Sequence, residues 1–222
     1  AAAGGTWANA ESNGNVGIGS YVMDSALDGA LYNTAVGAYA LSAVTQADNV
    51  VAIGNSAAYN LTTASNNIAI GFRAMVTHTT GERNTVIGTN AMADTDAGST
   101  SAGSVDNTFI GHNAGGGTWT NAASNYNVGI GNYVMDSALA GVQYTTAVGH
   151  NALSAVTSGQ NNSVFGTQAG TSITTGNDNI AIGTQAMLTH TTGIRNIVIG
   201  SKAMDDTNAG SNSLNSVDNV FI

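Results

Sequence analysis

The residue types that most often carry acid–base chemistry near neutral pH are scarce in this chain. Its four histidines stand at positions 78, 112, 150 and 190. His78 and His190 occupy two copies of the same Thr-His-Thr-Thr-Gly segment, and His112 and His150 each follow a glycine. No serine and aspartate, and no pair of carboxylates, recur with them at a spacing that would assemble nucleophilic or acid–base catalysis. We therefore expect histidines in exposed turns and no enzymatic activity.

Two acidic loops are the candidates for binding a metal ion. Asp94 and Asp96 precede a glycine in one loop, and Asp206 and Asn208 precede a glycine in the other. Oxygen ligands at alternate positions before a glycine suit Ca²⁺. The distal bidentate glutamate of a complete calcium loop is missing, so a solvated turn is the competing interpretation. No other cofactor is expected.

Aromatic side chains near these loops are the candidates for contacting a receptor. Trp7 and Trp119 lie in glycine-rich stretches, and Tyr126 follows shortly after Trp119. Rings beside asparagine and serine suit stacking on a sugar, although a tryptophan that folds back over its own chain fits the sequence equally well. The predicted receptor or glycan contacts are therefore Trp7, Trp119 and Tyr126.

Two nested repeats decide how these residues are positioned. GGTWANAESNGNVGIGSYVMDSAL from Gly4 returns as GGTWTNAASNYNVGIGNYVMDSAL from Gly116, and VDNTFI from Val105 returns as VDNVFI from Val217 at the same offset. Inside each long unit a shorter motif recurs, Asn-x-Val/Ile/Thr-Ala-Ile-Gly-x-x-Ala-Met/Leu. Its glycine, called the motif glycine below, stands at 19, 37, 54, 71, 88, 111, 131, 149, 166, 183 and 200. Most of these glycines are seventeen or eighteen positions apart, and such self-similarity is typical of a solenoid.

The repeats predict a single solenoid segment of a longer fibre, made of two six-coil units at about 1–112 and 113–222. Each coil is predicted to contain two short strands, because so short a repeat cannot hold two helices and apolar residues alternate before the motif glycine. In NNIAIGFRAMVTHTTG, which starts at Asn66, Ile68 and Ile70 share one face of the first strand. Ala74 and Met75 belong to the second strand.

The column directly before the motif glycine is nearly always Ile or Val, so we expect it to fill the interior. The residue two before the glycine is mostly small and also apolar. Both faces of the strand are therefore expected to be buried, which one coil cannot achieve by itself. Leaving either face in water would expose an apolar stripe along the whole chain, so a cyclic homo-oligomer is expected.

Asparagine four residues before the motif glycine forms a further column, from which Val50 and Thr145 depart. Asparagine bonds to turn amides, and stacked identical amides form hydrogen-bonded ladders. We predict a structural role for this column. The predicted structural ladder comprises Asn67, Ile70 and Gly71 in the first unit and Asn179, Ile182 and Gly183 in the second.

Composition excludes several classes of partner. Only 8% of the residues are charged, and 13 acidic residues against four Lys and Arg give a formal charge of −9. Without a basic stripe to neutralise phosphates, no nucleic acid partner is expected. No run of about 18 apolar residues exists, so this segment is not expected to insert into a membrane.

The repeated core, as in NNIAIGFRAM, NTVIGTNAM and NDNIAIGTQAM, resembles the head repeats of trimeric autotransporter adhesins. It is also similar to the repeats of phage tail fibres, and the resemblance covers essentially the whole chain. The resemblance implies a left-handed parallel β-roll, three copies packed side by side about a fibre axis, and attachment to a host or matrix. The coils of this chain are longer than the usual adhesin-head coil, and the choice between phage fibre and bacterial adhesin stays open.

These observations lead to an expected function. We expect an all-β parallel β-solenoid that forms a homotrimeric adhesive fibre on a cell surface or virion tail and contacts a host-cell receptor or glycan. The alternative is a purely structural shaft with its binding domain elsewhere. An ice-binding solenoid is disfavoured, because the threonine-rich turns recur only intermittently.

Overall fold

The computed structural model describes residues 11–95, 103–120, 122–204 and 217–222. Within them the chain forms an all-β parallel β-solenoid, as predicted, in which successive coils add one strand each to a twelve-stranded sheet. Neighbouring strands pair in chain order and in register, so that Ile68 lies beside Thr85 and Ile70 beside Ile87. The strands are β1 (Val16–Ile18), β2 (Thr34–Val36), β3 (Val51–Ile53), β4 (Ile68–Ile70), β5 (Thr85–Ile87), β6 (Thr108–Ile110), β7 (Val128–Ile130), β8 (Thr146–Val148), β9 (Ser163–Phe165), β10 (Ile180–Ile182), β11 (Ile197–Ile199) and β12 (Val220–Phe221).

Each described coil contains one strand, where two were predicted. Residues 72–77, which include Ala74 and Met75, form turns. Hydrogen bonds between coils continue through these turns, since Met75 N–H donates to Ala91 O and Arg73 N–H to Asn55 O, both at 3.0 Å. The chain changes direction at left-handed residues two and four positions after the motif glycine, with φ of 56° at Arg73 and 54° at Met75. That conformation costs about 1–2 kcal/mol per residue and removes the alternation that a second strand needs.

The motif glycines stack on one another along the solenoid. Their φ angles lie between 132° and 143°, which L side chains rarely adopt. A methyl group at Gly37 would come within 2.5 Å of the carbonyl oxygen of Gly54 in the next coil. Gly71 and Gly183 occupy this column, so their predicted structural role is confirmed. Close approach of successive backbones explains why the column admits only glycine.

The residue two before the motif glycine faces the interior in β2 to β11. Ala69 and Ala181 are fully buried, whereas Ile182 is 39% exposed and Ile70 is partly exposed. Because successive strand residues point to opposite faces, the column directly before the glycine must face outward when its neighbour faces inward. The prediction that Ile70 and Ile182 fill the interior is therefore wrong: they form a ladder on the outside of the sheet.

Space inside a coil is shared between the buried strand residue and the residue four after the motif glycine. Gly17 in β1 is exposed, yet a methyl group there would still lie 2.9 Å from Met23 Cε. Where the strand residue is the large Phe109, the other position is Gly115, and a methyl group there would lie 2.9 Å from the Phe109 ring. Elsewhere a small strand residue usually accompanies Met or Leu. The two columns therefore balance in volume coil by coil, as a close-packed interior requires.

The asparagine column forms a buried amide ladder, as predicted. Asn67 Oδ1 accepts the backbone N–H and the side-chain Nδ2 of Asn84, at 2.9 and 3.2 Å. Amide Nδ2 groups of the ladder also donate to a carbonyl of the following coil, and from Asn179 this bond reaches Gly193 O at 2.7 Å. The side chain thus ties its own strand to two parts of the next coil. A buried amide with its donors and acceptor used in this way is well satisfied, which is why the column selects asparagine.

Candidate functional site

An apolar surface runs along the solenoid. This outer strand face consists of the first and third residues of strands β1 to β11, and none of these residues is charged. Ile53, Ile130 and Ile182 are each 38–39% exposed, and Phe165 is 41% exposed. Continuous apolar surfaces of this kind mark sites that contact another molecule.

A polar cavity of about 390 Å³ lies elsewhere on the coils. None of its lining residues belongs to the outer strand face. The polar cavity is lined by Arg73, Thr77, Asn90, Ala93, Asp94, Asn113 and Gly116. Its position follows from the sequence: Ala93 and Gly116 stand five residues after a motif glycine, where preceding coils carry the larger Tyr59 and Val76.

Asp94, one of the predicted calcium ligands, lies at the polar cavity. Its Oδ2 accepts a hydrogen bond from Thr118 Oγ at 2.6 Å. Asp96, Asp206 and Asn208 lie outside the described residues. Among the residues that the structure describes, no three His, Asp or Glu side chains come together in a way that could hold a metal ion. Calcium binding by these loops stays a prediction.

Trp119 is fully buried, and its predicted role as a receptor contact is wrong. Its Nε1–H donates to Gly115 O at 2.9 Å, and its ring meets Phe109 edge-on at a centroid distance of 5.7 Å. A ring enclosed in this way cannot stack on a sugar. The competing interpretation, a tryptophan folded back over its own coil, is the one that the structure favours. Trp7 lies outside the described residues.

Tyr126 is 47% exposed and lies flat against Tyr144, with ring centroids 5.1 Å apart. It is accessible to a ligand, and its predicted role as a contact stays a prediction. A second exposed stack joins Tyr21 and Tyr39, at 5.0 Å. Sequence reasoning missed these stacks, although each pair stands at equal distance from successive motif glycines.

The expectation of four exposed turn histidines is wrong for two of them. His78 and His190 are fully buried, whereas His150 is exposed and His112 is half-buried. Nδ1 of His78 shares a hydrogen bond with Thr95 Oγ1 at 3.0 Å. Burial lowers the pKa of His78 to about 4 and also lowers the pKa of His190.

A register signal in the sequence could have located the buried histidines. Both stand seven residues after a motif glycine, where other coils carry Val44, Leu61 and Ile173. All three of those residues are fully buried. The histidines therefore occupy a core column.

Arginine and aspartate clamp the longest coil of each unit. Arg83 Nε and Nη2 bind the two carboxylate oxygens of Asp106 at 2.7 and 2.9 Å. Arg195 and Asp218 repeat this arrangement in the second unit, at 2.6 and 3.1 Å. Hydrogen bonds from Arg83 lower the pKa of Asp106. Since the two members of each clamp lie at an exposed corner on successive coils, the clamps link those coils on the surface.

Comparison of the chain with family models, with curated proteins and with solved structures found no match. None of the described residues forms a helix of the length and hydropathy needed to cross a membrane. The geometry of the described residues leaves two surfaces as candidate functional sites: the outer strand face and the polar cavity.

Proposed function

We propose that this chain is a segment of an elongated extracellular fibre, in which three copies pack side by side with their outer strand faces turned toward a common axis. The solenoid supplies reach and stiffness, and its exposed corners supply attachment to a host cell or another surface. The role is structural and adhesive, without catalysis. Three-fold assembly and left-handed winding are what the resemblance of the repeats implies.

The observation that carries the proposal is the uncharged apolar face along the strand column. Burying one isoleucine side chain stabilises a protein by about 1.5–3 kcal/mol, so repeated isoleucines left half in water favour association strongly. Acidic residues amount to 13 in this chain, and all of them avoid the outer strand face of β1 to β11. A surface kept free of charge over that length is typical of an interface.

Sedimentation equilibrium of the purified segment tests the assembly. We expect three copies per particle. The double variant Ile70→Asp/Ile182→Asp should be monomeric with an unchanged far-UV circular dichroism spectrum, because both positions face outward. Thr89→Asp/Thr184→Asp is the matched control, since these exposed residues directly follow a motif glycine and lie outside the outer strand face. It should stay assembled.

A wild-type segment that sediments as a monomer at concentrations of tens of micromolar would contradict the proposal. Thermal hysteresis measured on such a monomer would favour an ice-binding face instead. The outer strand face presents hydroxyls at Thr34, Thr85, Thr108, Thr146 and Ser163. They form two separate pairs on adjacent strands, Thr85 with Thr108 and Thr146 with Ser163, and no longer row.

A further inference from the structure

We infer that the polar cavity binds a neutral saccharide through pairs of adjacent hydroxyl groups. The inference names a ligand class for the attachment function proposed above and rests on that proposal for its biological meaning. Binding by the cavity itself does not depend on assembly, because the lining residues lie outside the outer strand face.

One side of the cavity is lined by a row of planar polar side chains, one from each of three successive coils. Arg73, Asn90 and Asn113 each stand two residues after a motif glycine on successive coils. Their backbones are fixed by hydrogen bonds between coils, with Asn90 N–H donating to Phe72 O at 2.9 Å and Asn113 N–H to Thr89 O at 3.0 Å. Since coils stack about 4.8 Å apart, the row is roughly 10 Å long.

Within the described part of the chain, the side chains of this row have no partner. There Arg73 is exposed and forms no ion pair with a carboxylate, and neither amide makes a side-chain hydrogen bond. The other two described arginines are both clamped by aspartates. The two amides can each donate and accept a hydrogen bond, and the guanidinium donates. Donors and acceptors side by side in one row suit the recognition of adjacent hydroxyl groups.

Asp94 supplies the acceptor on the other side of the cavity. Its position is fixed twice, because Thr118 Oγ donates to Oδ2 at 2.6 Å and Trp119 N–H donates to the Asp94 carbonyl at 2.9 Å. Thr77 cannot contribute as freely, since its hydroxyl donates to Ala93 O and accepts from Thr95 N–H. No described group donates to the second carboxylate oxygen of Asp94, which is a strong acceptor for a hydroxyl.

Charge selects a neutral ligand over an acidic one. Arg73 and Asp94 are the two charged residues among the described lining residues, and their charges cancel. The chain as a whole carries a formal charge of −9, so an acidic polymer is repelled at long range. The volume of about 390 Å³ lies within the range of roughly 300–1,000 Å³ that is usual for small-molecule sites.

A glycan array first selects the probes. Isothermal titration calorimetry of the whole segment with those probes then tests the inference. The array should hold neutral oligosaccharides of glucose, galactose, mannose and N-acetylglucosamine beside uronate-containing and sialylated ones. We expect binding to neutral members. Asp94→Asn and Arg73→Ala should each lower the affinity about tenfold or more, as expected when a hydrogen bond to a charged group is lost.

Filling the cavity gives the sharpest variant. Ala93→Val introduces the side chain that the coil of β4 already carries at the same column in Val76, and it should lower affinity at least tenfold with unchanged melting. Ser42→Val in the same column outside the cavity, and Gln185→Ala at the position equivalent to Arg73 one long unit later, are controls that should bind as wild type.

Several results would overturn the inference. They are an array on which no neutral member binds or only acidic members bind, and an affinity that Ala93→Val and Asp94→Asn leave unchanged. Sedimentation of the same samples separates this inference from the fibre proposal. A trimer that binds no neutral saccharide overturns only the inference, whereas a monomer that binds one overturns only the three-copy fibre.

Discussion

The two faces of the strand column differ in a way that reverses the usual arrangement of large and small side chains. The inner face holds residues such as Ala69 and Ala181, which are fully buried. The outer face holds Ile53, Ile130 and Ile182, which are 38–39% exposed. In most coils Met or Leu from the turn segment already occupies part of the interior, so the strand contributes a small residue there; Phe109, opposite Gly115, is the reverse case.

This difference shows that side-chain size does not report burial in a narrow solenoid. Large aliphatic residues stand where the single chain leaves them partly in water, and alanine stands where water is excluded. The stabilisation that isoleucine burial offers is therefore withheld until a second surface covers the outer face. The stability of the folded chain depends on the inner face, and the proposed assembly of three copies depends on the outer face.

Charging the two faces at adjacent residues should give the largest contrast. Ala181→Asp places an unpaired carboxylate in the interior and should cost at least about 4 kcal/mol, enough to abolish cooperative melting. Ile182→Asp lets the carboxylate reach water, so the circular dichroism spectrum should persist while the particle mass falls. Equal loss of secondary structure in both variants would show that the faces are wrongly assigned.

Removing one rung of the amide ladder should have the next largest effect. Asn179→Ala leaves the Asn196 backbone N–H and the Gly193 carbonyl without their partners, which now lie at 3.0 and 2.7 Å. At about 1–3 kcal/mol for each unsatisfied group, the free energy of unfolding should fall by roughly 2–6 kcal/mol in urea titrations.

Asn179→Thr is the matched control for that variant. Thr145 stands in the same column, and its Oγ1 accepts the backbone N–H of Asn162 at 3.4 Å. Threonine should therefore retain part of the lost stability. If the two variants melt alike, the ladder contributes through packing instead of hydrogen bonding.

Lowering the pH should reduce the free energy of unfolding, because a histidine is buried in the interior. The pKa of His78 is about 4 in the folded chain against an ordinary value of 6.5, so the unfolded state binds more protons between these values. Stability contributed by neutral His78 is complete above pH 6.5 and is lost as pH falls toward 4. Between pH 7 and pH 5 the loss should be roughly 2 kcal/mol.

Urea titrations at pH 7, 6 and 5 measure this dependence. His78→Leu/His190→Leu should flatten it, because Leu61 already occupies the same core column in another coil. The exposed His150→Asn is the control and should leave the slope unchanged. A wild-type slope in the double leucine variant would show that other groups control acid stability.

Breaking a surface clamp should have the smallest effect. Arg83→Ala removes the paired hydrogen bonds to Asp106, but both side chains reach solvent, where such pairs contribute little. The melting temperature should shift by an amount close to the precision of the measurement, and less still in high salt. A large loss of stability would mean that the longest coil depends on the clamp for its position.

Much of the architecture is legible in the sequence. The long and short repeat periods predict a solenoid, and the amide ladder follows from asparagine recurring at one offset from the motif glycine. The locations of Trp119 and His78 were less accessible, because residue type alone suggested a sugar contact and an exposed turn. For His78, comparison with column neighbours such as Leu61 is the signal that places the ring inside.

What the sequence by itself determined is the set of columns, since a repeat fixes which residues stack on one another whatever the shape of the coil. Only the tertiary structure decided which columns face inward. That choice depends on where left-handed residues such as Arg73 and Met75 turn the chain, and on whether the volumes of Phe109 and Gly115 fit together. Residue type alone reveals neither of them, because arginine and methionine rarely adopt the left-handed conformation and interior volume is a property of the closed coil.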